Sequence, residues 1–221
     1  MSDIIVPSDK KEIILNEFSI ATRSRIISLV QQGYILAREA TRHVSFLDWD
    51  LGKRHEGYLR PLAVNFLLKS DSEQGRLPFS HAYEYNKNKS HKFLVVHRGN
   101  IKLTVSQTDS LYSVARPAIF RKRMQESNNL RWNLFNEVLT VDENPELYML
   151  LTFSSGGESP RFINLGLPGK NGWIERLNLL SKPHLLEIEN QQPKEKEEVI
   201  EAETLVNFRK FTEEVEDIGS K

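Results

Sequence analysis

The sequence predicts an α+β fold: N-terminal helices, a mainly antiparallel sheet of about five strands with helices over one face, and a C-terminal helical tail. Three observations carry this prediction. Apolar residues recur at helical spacing from Asp9 to about Ala40 and again beyond Val199. Short β-branched and aromatic runs fill the middle of the chain. Two of them flank Gly99-Asn100, a pair that tolerates positive φ and so favours a tight hairpin. With 221 residues, 39% of them hydrophobic, the chain can bury one sizeable core with appendages. The expected division is an N-terminal helical segment over 1–42, an α+β core over 43–185, and a charged linker with a tail helix over 186–221.

Asp9 and Glu12 have capping-box spacing at the start of the first helical stretch. Ile13, Ile14, Phe18 and Ala21, then Ile26, Ile27, Val30, Tyr34 and Ile35, mark its buried stripe. The stretch Ser19–Ser24 is the expected junction if there are two helices, and Gly33 marks a potential break. His43–Glu56 reads as irregular. Its Asp48, Asp50, His55 and Glu56 are of metal-ligating type but match no ligand spacing, and both aspartates serve equally well in turns and caps. No metal and no cofactor is expected. Glu56–Leu68 follows as a helix, with Pro61 best placed near a first turn.

Strands are expected at 80–85, 92–97 and 101–107. A two-residue Gly99-Asn100 loop pairs Arg98 with Ile101, His97 with Lys102, Val96 with Leu103 and Val95 with Thr104. Alternation puts Leu94, Val96, Ile101, Leu103 and Val105 on one face, with Arg98 at its rim, and Phe93, Val95, His97, Lys102 and Thr104 on the other. Arg116-Pro117 opens a helix that Ser127–Asn129 should interrupt before a second run over Leu130–Leu139. The long stems of Arg121, Lys122 and Arg123 should carry all three charges to solvent. Leu147–Phe153 is continuously apolar, as befits a strand covered on both faces. Arg161–Leu167 is the next strand, and Trp173–Leu180 a last amphipathic element. After the charge run Lys194–Glu198, residues 199–218 carry an apolar stripe suited to docking on the chain's own body, on a protein partner or on a second copy.

The net charge is zero but unevenly spread. From Asn86 to Arg131 there are ten Lys and Arg against two acids, and from Glu187 to Lys221 eleven acids against five bases. A basic middle suggests a surface that faces a polyanion. The absence of Cys removes disulfides and thiolate chemistry. With no basic start leading into an apolar run, and no apolar stretch of membrane-spanning length, a cytoplasmic protein away from membranes is expected. No Gly-x-Ser-x-Gly occurs. Gly166–Gly172 lacks the spacing of a nucleotide-binding loop, and the expected strands at 93–97, 101–105, 147–153 and 161–167 hold no Asp or Glu for a two-metal nuclease.

Two readings of the second sheet face remain. As a binding surface for RNA or single-stranded DNA, it offers Phe93 and Tyr85 (or Tyr83) as stacking platforms among Lys87, Lys89, Lys92, Arg98 and Lys102. Arg121, Lys122 and Arg123 add phosphate contacts. As a metal-independent ribonuclease, it uses His97 as acid or base and Lys102 to stabilise the phosphorane, with His81 and His91 in reserve. Binding without catalysis asks less of these residues. An adaptor acting through its C-terminal helix is the third reading.

Overall fold

The structure, a computed structural model, describes residues 10–44, 47–86, 89, 92–134, 146–181 and 202–216. Its centre is a mixed sheet of six strands in sequential order: β1 (Ser80–Tyr85), β2 (Lys92–Arg98), β3 (Ile101–Thr108), β4 (Leu147–Ser154), β5 (Ile163–Gly169) and β6 (Gly172–Asn178). β3 and β4 are parallel and every other pairing is antiparallel, so two three-stranded meanders stand side by side. The sixth strand is the segment around Trp173, which turns back on β5 and raises the count above the expected five.

The helices are α1 (Lys10–Glu17), α2 (Ile20–Arg42), α3 (Glu56–Glu73), α4 (Ile119–Leu134) and α5 (Ala202–Glu216). α1 and α2 meet at Ser19, whose hydroxyl accepts from Thr22 N–H at 3.2 Å and caps α2. The Asp9 cap lies outside the described residues. Gly33 is no break. It lets α2 approach α3 so closely that a Cβ there would stand 2.5 Å from Val64 Cγ2. Alternation along the strands sends Leu94, Val96, Ile101, Leu103, Val105, Met149, Leu151, Phe153 and Leu165 into one core with Ile14, Ile26, Val30 and Tyr34 of α1 and α2 and with Phe18 between those helices.

The opposite face is not left open, contrary to the expectation of helices on one side. Ala115, Tyr148 and Leu150 form a second buried layer there, with Met124 of α4 packed against it, and Phe120 stacks on Phe93 at 4.0 Å. All eight residues of β4 are therefore buried. α5 seats Phe208 and Phe211 against Phe66 of α3, so the tail's apolar stripe docks on its own chain. Only this one short helix is present at the C-terminal end of the described residues.

Two prolines remove backbone donors, and two side-chain amides take their place. Pro61 lies inside α3, beyond its first turn, and cannot donate to the Gly57 carbonyl one turn back. Gln107 Nε2 of β3 donates to that carbonyl instead, at 2.6 Å. The register of β4 with β5 would next bring Pro168 opposite Tyr148, where a ladder bond would be missing. Asn128 enters that gap. Its Nδ2 donates to Tyr148 O at 2.7 Å and Pro168 O at 3.0 Å, while its Oδ1 accepts from Tyr148 N–H at 2.9 Å. α4 therefore runs unbroken through Ser127–Asn129, where an interruption was expected. The rest of the expected helix over Leu130–Leu139 lies outside the described residues from 135 onward.

Candidate functional site

The hairpin pairs Arg98 with Ile101, His97 with Lys102 and Val96 with Leu103, as the Gly99-Asn100 loop requires; Gly99 adopts φ 55°. His97 and Lys102 do share a face and neither is fully buried. Lys102, however, is held by two carboxylates, with Nζ 3.0 Å from Glu146 Oε2 and 3.4 Å from Glu84 Oε1. Burial alone would lower its pKa, but the hydrogen bond to Glu146 and the charges of Glu84 and Glu146 outweigh this, and the pKa is raised. The ammonium is thus charged but already neutralised. Arg98 lies on the opposite face, 3.8 Å from Glu17 of α1, so it does not join Lys102.

The expected stacking platform divides in the same way. Tyr83 pairs with Leu94 and Tyr85 with Lys92, which puts both tyrosines on the α1–α3 side, whereas Phe93 pairs with Glu84 on the α4 side. Lys92 Nζ sits 3.9 Å from the Tyr83 ring centroid. Lys89 is exposed in the turn after β1, and Lys87 and the reserve His91 lie outside the described residues. The other reserve, His81, is 3.6 Å from Glu73. Of the basic triplet, Lys122 and Arg123 are exposed, but Arg121 turns inward. Its NH1 donates to Arg116 O at 2.9 Å, and burial lowers its pKa against the opposing pull of Tyr148. Phe120 beside it packs on Phe93 of β2, which draws this side of α4 onto the sheet.

What the structure brings together is a cleft. The expected fourth hairpin pair, Val95 with Thr104, does not form; the β2–β3 ladder ends at Val96 and Leu103. From there β2 follows β1 as far as Tyr85↔Lys92, and β3 follows β4 as far as Thr108↔Ser154. Between the diverging strands lies a cavity of about 310 Å3, reached from both sides of the sheet by Pro61, Leu62 and Asn65 of α3, Phe120 and Arg121 of α4, and Phe211 of α5. Its strand lining includes Lys92, Phe93, Thr104, Ser106 and Gln107, and among the described residues no carboxylate or histidine lines it. Three buried polar atoms of these lining residues have no hydrogen-bond partner among the described residues: Asn65 Oδ1, Gln107 Oε1 and Arg121 Nε.

Sequence reasoning missed Asn65, Gln107 and Phe120. A usable signal existed for one of them, because a proline inside a helix requires a substitute donor for the carbonyl one turn back. The irregular stretch before α3 is spent on structure. Asp48 is 3.5 Å from Lys53, Glu56 pairs with Arg60 at 2.7 Å, and the His55 ring lies against Tyr58. Among the described residues no cluster of three or more His, Asp or Glu could hold a metal ion, and no helix is long and apolar enough to cross a membrane. Comparison of the chain with family models, with curated proteins and with solved structures finds no match.

Proposed function

We propose that this chain is a cytoplasmic binding protein for RNA or single-stranded DNA, acting without catalysis of its own. The reading shifts the contact surface from the open sheet face to the α4 edge of the β2–β3 cleft. The observation that carries it is that exposed Lys122 and Arg123 follow directly on Phe120 and Arg121 of α4, which line a cleft with Phe93 and with no carboxylate among the described residues. Cations track a phosphate backbone while aromatic rings and amides meet the bases. The ribonuclease alternative is less well supported, since it needs the Lys102 charge for the developing phosphorane and that charge is engaged by Glu84 and Glu146. An adaptor role would need α5 to leave its seat on Phe66.

The test is fluorescence anisotropy of a labelled single-stranded RNA or DNA across a salt series. We expect binding that weakens linearly in log–log form. Lys122→Gln with Arg123→Gln should reduce the slope by about 1.4, from about 0.7 per phosphate contact on a single strand. Failure of the unmodified protein to bind in a salt-dependent way would overturn the reading. Cleavage of RNA in EDTA that His97→Ala abolishes would replace it with the ribonuclease.

A further inference from the structure

We propose that the cleft between β2 and β3 is a pocket for one nucleobase bearing an exocyclic amino group, that is adenine, cytosine or guanine rather than uracil or thymine. The proposal takes its ligand class from the nucleic-acid reading above, and its test separates the two.

The chemistry of the pocket is fixed by a proline. Because Pro61 has no N–H, the Gly57 carbonyl takes its bond from Gln107 Nε2 at 2.6 Å. That bond orients the amide, so Oε1, the acceptor, is the end left without a partner among the described residues. Asn65 adds a second buried acceptor from α3, and Arg121 a donor from α4. Buried polar groups are rarely left unpaired, because each unmade bond costs about 1–3 kcal/mol. Here three such groups, from three different elements, belong to residues that line one cavity of about 310 Å3, at the lower end of the range for small-ligand sites.

The lining selects the occupant. Without a carboxylate or histidine it suits neither a metal ion nor a cationic ligand, whereas Arg121 and Lys92 favour an anion. Two carbonyl-type acceptors call for a ligand N–H pair, which an exocyclic amino group supplies with its two hydrogens. Leu62 and Phe211 provide apolar walls for a flat ring. Asn and Gln amides read base edges in this way elsewhere. A base that presents a carbonyl in place of the amine would set oxygen against oxygen, and a site built around a hydrogen bond rejects the partner that lacks it.

The base has two sources, a free mononucleotide or an unstacked residue of a strand. The experiment therefore titrates the full chain calorimetrically with AMP, CMP and UMP, and by anisotropy with labelled oligo(A), oligo(C) and oligo(U). We expect the amino-bearing probes, as mononucleotides or as strands, to bind at least tenfold more tightly than their uridine counterparts. Asn65→Leu, which removes an acceptor that no described residue uses, should bring that ratio towards one while the protein stays folded by circular dichroism. Gln107→Met is the second variant and should do the same. Equal salt-dependent binding of all three strands would defeat the pocket and leave the strand reading standing. Discrimination among mononucleotides without any strand binding would keep the pocket and defeat the strand reading. Discrimination undiminished in Asn65→Leu, or no binding of any probe, overturns the proposal.

Discussion

Asn128 is the residue whose removal should be felt most locally. It is fully buried and makes three hydrogen bonds that stand in for the ladder pair Pro168 cannot complete. Asn128→Ala would strand one N–H and two carbonyls in a dry layer, so we expect a loss of roughly 2–4 kcal/mol in urea unfolding. A loss under 1 kcal/mol would show that β4 and β5 close without it. None of this was legible in the sequence. Asn in a helix interior reads as a weak position, which is why an interruption was expected, and its reason for being there lies forty positions downstream at Pro168. Arg121 was misread on the same ground. A long basic side chain defaults to solvent, and the tertiary contacts of Phe120 with Phe93 and of Arg121 with Tyr148 accompany its inward turn.

At the scale of elements, the hairpin was legible because its determinants are local: Gly99-Asn100 sets the loop, and alternation sets the face. Where the ladder stops was not legible, since each strand's next partner lies elsewhere in the chain. The helix pair α2–α3 makes the same point. Gly33 looks like a helix breaker by propensity but serves as a contact. Gly33→Ala should gain up to about 1 kcal/mol of helix propensity. Against this, the new Cβ meets Val64 Cγ2 at 2.5 Å and Val64 N at 3.3 Å, on a β-branched residue with little rotamer freedom. Overpacking of this kind costs about 1–3 kcal/mol, so the net effect should be destabilising. Val64→Ala in the same chain should recover part of the loss. A melting temperature that rises in Gly33→Ala alone would mean that the helices simply move apart.

Across the whole molecule, β4 is the strand that both helical layers share, and a buried tyrosine joins it to each of them. Tyr34 of α2 bonds the Ser154 carbonyl and hydroxyl at one end of β4. Tyr148 of β4 itself bonds Thr104 at 2.7 Å under α4. Burial raises the pKa of both above the ordinary 10.0, against smaller opposing effects from their hydrogen bonds and nearby arginines. Lys102, raised by its two carboxylates, titrates in the same direction. In each case the folded state holds its proton more tightly than the unfolded chain. The stabilisation is therefore complete below about pH 10 and is lost as pH rises through the folded-state values. We expect urea midpoints to be insensitive to these three groups near neutrality and to fall steeply above about pH 10. Because Tyr34 of α2 packs against one face of β4 and Tyr148 projects from the other, both layers should give way together, in a single transition by circular dichroism. Tyrosinate absorbance from Tyr34 and Tyr148 should appear only with unfolding. If Tyr34 and Tyr148 ionise while the circular dichroism remains native, β4 does not join the layers in this way. Tyr148→Phe separates the contributions: it should lower stability at neutral pH through the loss of the Thr104 bond, and lessen the decline on the alkaline side.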